Sequence, residues 1–472
     1  ARGLRIIVEI IPNHTSDQHY WFQASRDPHH PEHQKYRDWY VWSDTDQKYP
    51  DARIIFTDSE TSNWTFDPLR GQYFWHRFYS TQPDLNYDNP EVQQAMLDVV
   101  KYWIDKGADG LRVDAPPYLF EREGTNSENL PETHQYLKRV RAFVDQYKPD
   151  VLLLSEANQW PEDVIEYFGN GDEMHMNFHF PLMPRLYMAL AKGDRTPIEE
   201  ILARTPALPQ LCQWGSFLRC HDELTLEMVT PEERQWMWET YSPDPKQRIN
   251  LGIRRRLAPL VDNDPRKILL LHSMLLTMVG SPFLYYGDEI GMGDDISLFD
   301  RNGLRTPMQW DNTVNAGFSS APAEKLYAPV IDDPLYSYAQ VNVARQDPDP
   351  HSLLNQLRHM IAVRKNYPLF GWGDFTWKLF SFDENKVAAY QRKWQGERVV
   401  ILNNLTDKPV KGWIPETAAA FTDLLTGEII LPGDYTLAPY AFVWLKPVGP
   451  DLPNVPTGPN APQPGYLGSD KQ

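Results

Sequence analysis

Short apolar runs, each ending in polar residues and separated by stretches of helical spacing, recur along the chain and constrain its fold more than any other feature. LRIIVEII (Leu4–Ile11) runs out into Asn13 and His14, and GLRVDAPPYL (Gly110–Leu119) carries Arg112 and Asp114. VLLLSEANQ (Val151–Gln159) delivers Glu156, GSFLRCHDE (Gly215–Glu223) delivers His221, Asp222 and Glu223, and PFLYYGDEIG (Pro282–Gly291) passes into Asp288 and Glu289. Unbroken apolar runs are the mark of strands buried on both faces, as in a parallel sheet. Between them, Val92, Met96, Val99, Val100 and Trp103 recur at helical spacing behind an Asn89 cap and Pro90, and further helices read at about 132–147, 183–191, 198–203 and 268–279. The alternation predicts an α/β fold, a (β/α)8 TIM-type barrel whose site lies at the C-terminal ends of its strands. About six strand units can be counted, one of them near Met174–Phe180, so the barrel reads as N-terminally incomplete, with two strands upstream of Ala1.

The remaining segments divide the 472 residues further. The catalytic barrel is expected over 1–366, interrupted by an irregular inserted subdomain over 15–85, where polar residues, Pro, His and aromatics show little periodicity. The segment 224–265 is too long for a plain connection and reads as a lid-like insertion. After a helix near Leu353–Lys365, the runs FTWKLFSF, VAAYQRKW, RVVILNNL and AFVWLK alternate as strands and predict a C-terminal antiparallel β-sandwich over 367–446. Residues 447–472 are dense in Pro and Gly, as a linker or tail is.

Composition excludes several partners. A net charge of -18 without basic runs argues against nucleic acid and anionic membrane. The most apolar run, Ile268–Tyr286, is broken by His272, Gly280 and Pro282, so a buried helix followed by a strand explains it better than a membrane span. Two cysteines, Cys212 and Cys220, give no disulfide framework, which favours a reducing compartment and a cytoplasmic protein. Aromatic residues, 13% of the chain, supply flat faces suited to stacking on sugar rings.

Arg112 and Asp114 stand two residues apart and therefore on one face of their strand, an arrangement that serves an ordinary ion pair or an ionised nucleophile equally well. Glu156 and Asp222 at two further strand mouths favour the second. Glycoside chemistry needs one nucleophilic carboxylate and a second carboxyl group that donates a proton to the leaving oxygen.

PNH (Pro12–His14), QPDLN (Gln82–Asn86), GLRVDA, SEA (Ser155–Ala157) and HDE stand in the order of the signatures of the α-amylase superfamily, glycoside hydrolase family 13. The resemblance runs from Leu4 to about Lys446, with QPDLN similar to the oligo-1,6-glucosidase-like branch. It implies Asp114 as nucleophile, Glu156 as general acid and base, and Asp222 as the carboxylate that supports the transition state. Arg112 would orient Asp114, while His14, His221 and Arg305 would hold the sugar; Gln82, Glu223 and Gln309 are secondary candidates. It also implies a structural Ca²⁺ held by Asn13, Asp84, Glu121 and the carbonyls of Tyr118 and Leu119, with no organic cofactor. Within the family, HDELTLEMVTPEER, INLGIRRRLAPLVDND, GDEIGMGD and RTPMQW resemble the members that interconvert maltose and trehalose by intramolecular transglucosylation, the 224–265 lid excluding water. The alternative is an α-glucosidase or oligo-1,6-glucosidase hydrolysing short α-glucosides. A silent barrel of the kind that forms transporter ectodomains would have lost carboxylates that stand here. Two positions depart from the pattern: Glu9 stands where Asp is usual, and Cys220 where Asn is usual. The partners implied are the two disaccharides and a maltose kinase domain fused beyond the tail; oligomeric state, homo-oligomer included, is left open.

Overall fold

A computed structural model of the chain describes residues 3–377, 382, 385–415 and 418–449. It divides into two compact units: Ala1–Leu182, Leu202–Ser216 and Thr225–Ile253 make the first, and Met183–Ile201, Phe217–Leu224 and Arg254–Gln472 the second.

In the first unit, strands Ile7–Ile10, Gly110–Val113, Leu152–Ser155, Met176–Phe178 and Gln213–Phe217 lie parallel in that order. Their register pairs Ile10 with Val113 and Val113 with Ser155, so the residues that follow each strand emerge together at one rim. Asp114 N–H donates to the Ile10 carbonyl at 3.0 Å and Glu156 N–H to the Val113 carbonyl at 3.0 Å, which carries the ladder one residue past the strands. The strands approach closely at Gly110, where a Cβ would stand 3.0 Å from Ile7 Cγ1 and 3.1 Å from Leu152 Cβ. Leu111 and Leu153 are fully buried, as their unbroken apolar runs require. The strand Ile7–Ile10 differs from that expectation: Ile6 and Ile7 are exposed, because it is hydrogen-bonded to a neighbour on its Gly110–Val113 side and ends the sheet.

Helices Pro90–Asp105 and Pro131–Tyr147 cover this sheet with the faces their spacing predicts, Val92, Met96, Val100 and Ile104 on one and Tyr136, Leu137, Val140 and Val144 on the other. Asn89 caps the first by accepting the Glu91 N–H at 2.9 Å.

The inserted segment is more regular than its composition suggests. It contains helices Tyr20–Arg26 and His33–Tyr36 and an antiparallel sheet in which Gln72–Trp75 lies between Trp42–Ser43 and Trp64–Asp67. The Asp67 carboxylate accepts the N–H groups of Leu69 at 2.9 Å and Arg70 at 3.0 Å, and Gly71 with φ 73° closes the hairpin. Its aromatics Phe22, Trp39, Tyr40 and Phe74 share one core with Ile10 and Leu111, so it is built into the barrel rather than laid upon it. The first part of the 224–265 segment forms helix Pro231–Tyr241, opened by a Thr230/Glu233 capping box, and a hairpin of Arg248–Ile249 with Gly252–Ile253.

In the second unit, helix Pro265–Thr277 is buried along its length from Ile268 onward. The strand after it spans Ser281–Phe283, shorter and less buried than PFLYYGDEIG predicts, and the chain then turns through Asp288–Ile290. The C-terminal sandwich pairs a six-stranded antiparallel sheet with a two-stranded antiparallel sheet of Val410–Ile414 and Gly433–Leu437 over a core of Val400, Leu402, Phe421 and Val443. FTWKLFSF gives strand Asp374–Trp377, with 378–381 outside the described residues, as are 450–472 of the tail. A seam of buried polar contacts joins the helix to the sandwich. Ser273 Oγ donates to Asn403 Oδ1 at 2.8 Å and accepts the Trp444 indole N–H at 2.9 Å, while Thr277 and Tyr390 hydroxyls meet at 2.6 Å. Among the described residues no helix is long and apolar enough to cross a membrane.

Candidate active site

Two groups of charged side chains stand out, one in each unit. In the first, Asp114 follows its strand and Ala115 takes a left-handed backbone conformation, φ 48°, before the short helix Pro116–Tyr118. That conformation disfavours any residue with a Cβ and turns the chain sharply away, leaving the Asp114 side chain at the rim. Arg112, 15% exposed, donates to Asp114 Oδ1 at 3.1 Å, and its guanidinium also binds Glu9 and Glu156. Asp114 and Glu156 are 22% and 18% exposed. The usual Asp to Glu departure at position 9 thus gives Arg112 a longer-reaching carboxylate from the neighbouring strand. His14 is buried against the Phe78 ring, 5.2 Å between centroids, and burial pushes its imidazole down to about 4, so it is neutral at neutral pH. Its Nδ1 lies 3.4 Å from the Asn13 amide nitrogen. Gln82 is held in a turn, its Oε1 accepting the Tyr79 N–H at 3.3 Å.

In the second unit, Asp222 Oδ1 accepts Arg305 Nη2 at 2.5 Å and lies 3.2 Å from Arg301 Nε, and its Oδ2 lies 3.3 Å from His221 Nε2. Burial alone would push the Asp222 carboxyl up, but His221, Arg301 and Arg305 together outweigh it and hold the group below the usual carboxylate range. Burial dominates at Glu223 instead and pushes its carboxyl up, against the pull of Arg301. Arg305 Nε donates to the His221 carbonyl at 2.9 Å, and Arg219 Nη2 to the Asp222 carbonyl at 2.8 Å, which fixes the loop from both sides. Gln309 is fully buried and its amide nitrogen donates to the carbonyls of Tyr336 and Val341, bracing its own loop, while its Oε1 is buried without a hydrogen-bond partner.

Arg301 is the member of this group that sequence reasoning missed. It lies 78 positions from Glu223, and the signal that could have found it was the Asp300–Arg301 pair four residues before Arg305.

A third cluster belongs to the first unit. Asn13 Oδ1, Asp84 Oδ2 and Glu121 Oε1 are buried without a hydrogen-bond partner. The Asn13 amide donates to Asp84, whose carboxyl burial pushes up to about 8. Glu121 is raised by burial and then by the charge of Asp84, which places the two carboxyls together. Tyr118 and Leu119 are buried in the turn just before Glu121. Orphaned oxygens of this kind are the donors a hard divalent cation takes.

The Alpha-amylase family (Alpha amylase, catalytic domain) matches residues 1–373 of the chain. The chain is 53% identical over 461 residues to a trehalose synthase/amylase of Mycobacterium tuberculosis, covering 94% of itself and 76% of that protein. It is 52% identical over 479 residues to a trehalose synthase of Pimelobacter sp., covering 96% of itself and 82% of that protein. Among solved structures, an α-amylase from H.orenii superposes with a TM-score of 0.73 at 25% identity, over 95% of this chain and 81% of the other. Signatures, fold and extended identity agree, and the chain belongs to the α-amylase family, glycoside hydrolase family 13.

Proposed function

We propose that this chain interconverts maltose and trehalose by a retaining double displacement, with minor hydrolysis to glucose. The observation that carries this reading is the 53% identity, over 94% of the chain, to a trehalose synthase/amylase. Asp114 attacks the anomeric carbon of the non-reducing glucose while Glu156 protonates the glycosidic oxygen, giving a β-glucosyl-enzyme. Both lie within reach of one guanidinium, that of Arg112, which fixes their mutual geometry. The released glucose turns in place and attacks through its own anomeric hydroxyl, with Glu156 now taking the proton. Two inversions at one carbon give net retention, so the α,α-1,1 bond forms. Asp222, kept ionised by His221, Arg301 and Arg305, supports the positive charge that develops on the ring. His14, neutral and nearly buried, hydrogen-bonds a hydroxyl without adding charge.

Water must be kept from the glucosyl-enzyme. In the first unit the 225–253 segment is tied to the inserted subdomain: Arg53 binds Glu128 and Glu227, each at 2.8 Å, and Asn250 N–H donates to Asp58 at 2.7 Å. This bracing supports a covering role for the segment. Incubation with maltose, scoring trehalose against glucose, tests the reading: trehalose is the expected main product, and near-complete conversion to glucose would make the chain an α-glucosidase.

The oxygens of Asn13, Asp84 and Glu121, with the Tyr118 and Leu119 carbonyls, fit a structural Ca²⁺, which would tie the inserted subdomain to the rim that carries Asp114. Metal analysis of undialysed protein should find calcium, and chelation should lower Tm. Calcium-free protein of unchanged Tm would dismiss the site.

A further inference from the structure

The Asp222 carboxylate has a like charge as its immediate neighbour in the chain. Glu223 is 10% exposed and Asp300, brought in from a distant loop, 15%. Carboxylates crowded in a poorly hydrated pocket repel one another, and without a cation one of them keeps a proton or swings away. Arg301, itself 5% exposed, stands among all three. Its Nε lies 2.6 Å from Glu223 Oε2 and 3.2 Å from Asp222 Oδ1, its Nη2 3.0 Å from Glu223 Oε1, and its Nη1 2.8 Å from Asp300 Oδ1. A planar fork can satisfy three carboxylates in fixed directions, whereas an ammonium supplies a point charge on a flexible stem.

The loop bearing Arg301 is itself held. Arg254 Nη1 donates to the carbonyls of Leu298 at 3.0 Å and Asp300 at 2.8 Å, and Leu304 N–H donates to the Arg301 carbonyl at 2.9 Å. Arg305, the other guanidinium on Asp222, is 36% exposed and uses its Nε on the His221 carbonyl. The charged groups that face Asp222 are therefore His221, Glu223, Arg301 and Arg305, with Asp300 behind Arg301 and Arg219 on the Asp222 carbonyl.

We propose that Arg301 is a positioning residue for Asp222: by gripping Glu223 bidentately it removes the like charge beside Asp222, so that Asp222 meets the sugar ionised and in one orientation. The inference rests on the part given to Asp222 above. It makes Glu223 a constraint on Asp222 that Arg301 neutralises, and assigns Arg301 no contact with substrate.

The test uses the full chain and the pH profile of kcat/KM for maltose between pH 4 and 8, with Tm measured for every variant. In Arg301→Gln the acid limb should move up by about one pH unit, because a cation that favours both carboxylates in their ionised form is gone. Arg301→Lys should move it in the same direction by less. Adding Glu223→Gln to Arg301→Gln should bring the limb back toward wild type, since the like charge has also been removed; damage to folding would not be repaired this way. If Arg301→Gln does not fold, Arg301→Lys and the double variant carry the same comparison. A folded Arg301 variant with the wild-type limb, or a double variant that stays shifted, overturns the proposal. Asp222→Asn separates the two claims: wild-type activity there would sink the role of Asp222 itself, whereas an inactive Asp222→Asn beside an unshifted Arg301 variant would sink only the positioning role.

Discussion

Each of the two charged groups crowds several carboxylates together, and they differ in how many guanidiniums serve them. In the first unit one guanidinium, Arg112, serves Glu9, Asp114 and Glu156. In the second, Arg301, Arg305 and His221 serve Asp222, Glu223 and Asp300. One guanidinium shared among three carboxylates leaves more like-charge repulsion within the set than two guanidiniums shared among three, so the second set holds its charge more firmly. The first arrangement suits the pair that must attack and exchange a proton, and the second suits a carboxylate that must stay ionised throughout.

The sharpest way to break this contrast is Asp114→Asn, which should lower kcat for maltose by roughly a thousandfold or more, since no other group on that rim is placed to form the covalent bond. Glu156→Gln should cost about a thousandfold on maltose yet far less on α-glucosyl fluoride, whose leaving group needs no proton. Equal losses on both substrates would mean that Glu156 does not act as the acid. Arg112→Lys should cost on the order of a hundredfold, because one ammonium cannot hold Glu9, Asp114 and Glu156 in their present directions. Arg305→Lys should be mildest, about tenfold, since Arg301 and His221 remain on Asp222. If Arg305→Lys proved worse than Arg112→Lys, the contrast between a group served by one guanidinium and a group served by two would have to be abandoned.

Much of this geometry was legible in the sequence because it is local. Asp114 and Glu156 each stand one residue past the end of a short, mostly apolar strand, and a parallel ladder delivers such residues to one rim. Arg112 two residues before Asp114 follows from the period of a strand. What escaped notice is set by tertiary contact. The strand at Gly110 ends at Val113, short of Pro116 and Pro117, because Ala115 adopts a left-handed conformation that no local signal demands. The hairpin of Trp64–Asp67 and Gln72–Trp75 has an ordinary turn at Asp67–Gly71, yet Gln72–Trp75 carries Tyr73 and Trp75 on one face and Phe74 on the other and so lacks the alternation that marks a half-exposed sheet. Arg301 carried only the weak local signal of its pairing with Asp300, since its value lies in a Glu223 that is far away in the chain.

The polar seam between helix Pro265–Thr277 and the sandwich also bears on how the protein can be divided. Ser273 and Thr277 lie in the buried stretch of that helix, and Asn403, Trp444 and Tyr390 of the sandwich meet their hydroxyls. Ending the chain after helix Leu353–Lys365 would strip the seam of one side and bare the buried apolar residues of helix Pro265–Thr277 to water, at roughly 25 cal/mol for each Å² exposed. The sandwich is thus an interior wall of the second unit. Shortened versions of the enzyme should be sought by trimming beyond Val448, where the last strand ends.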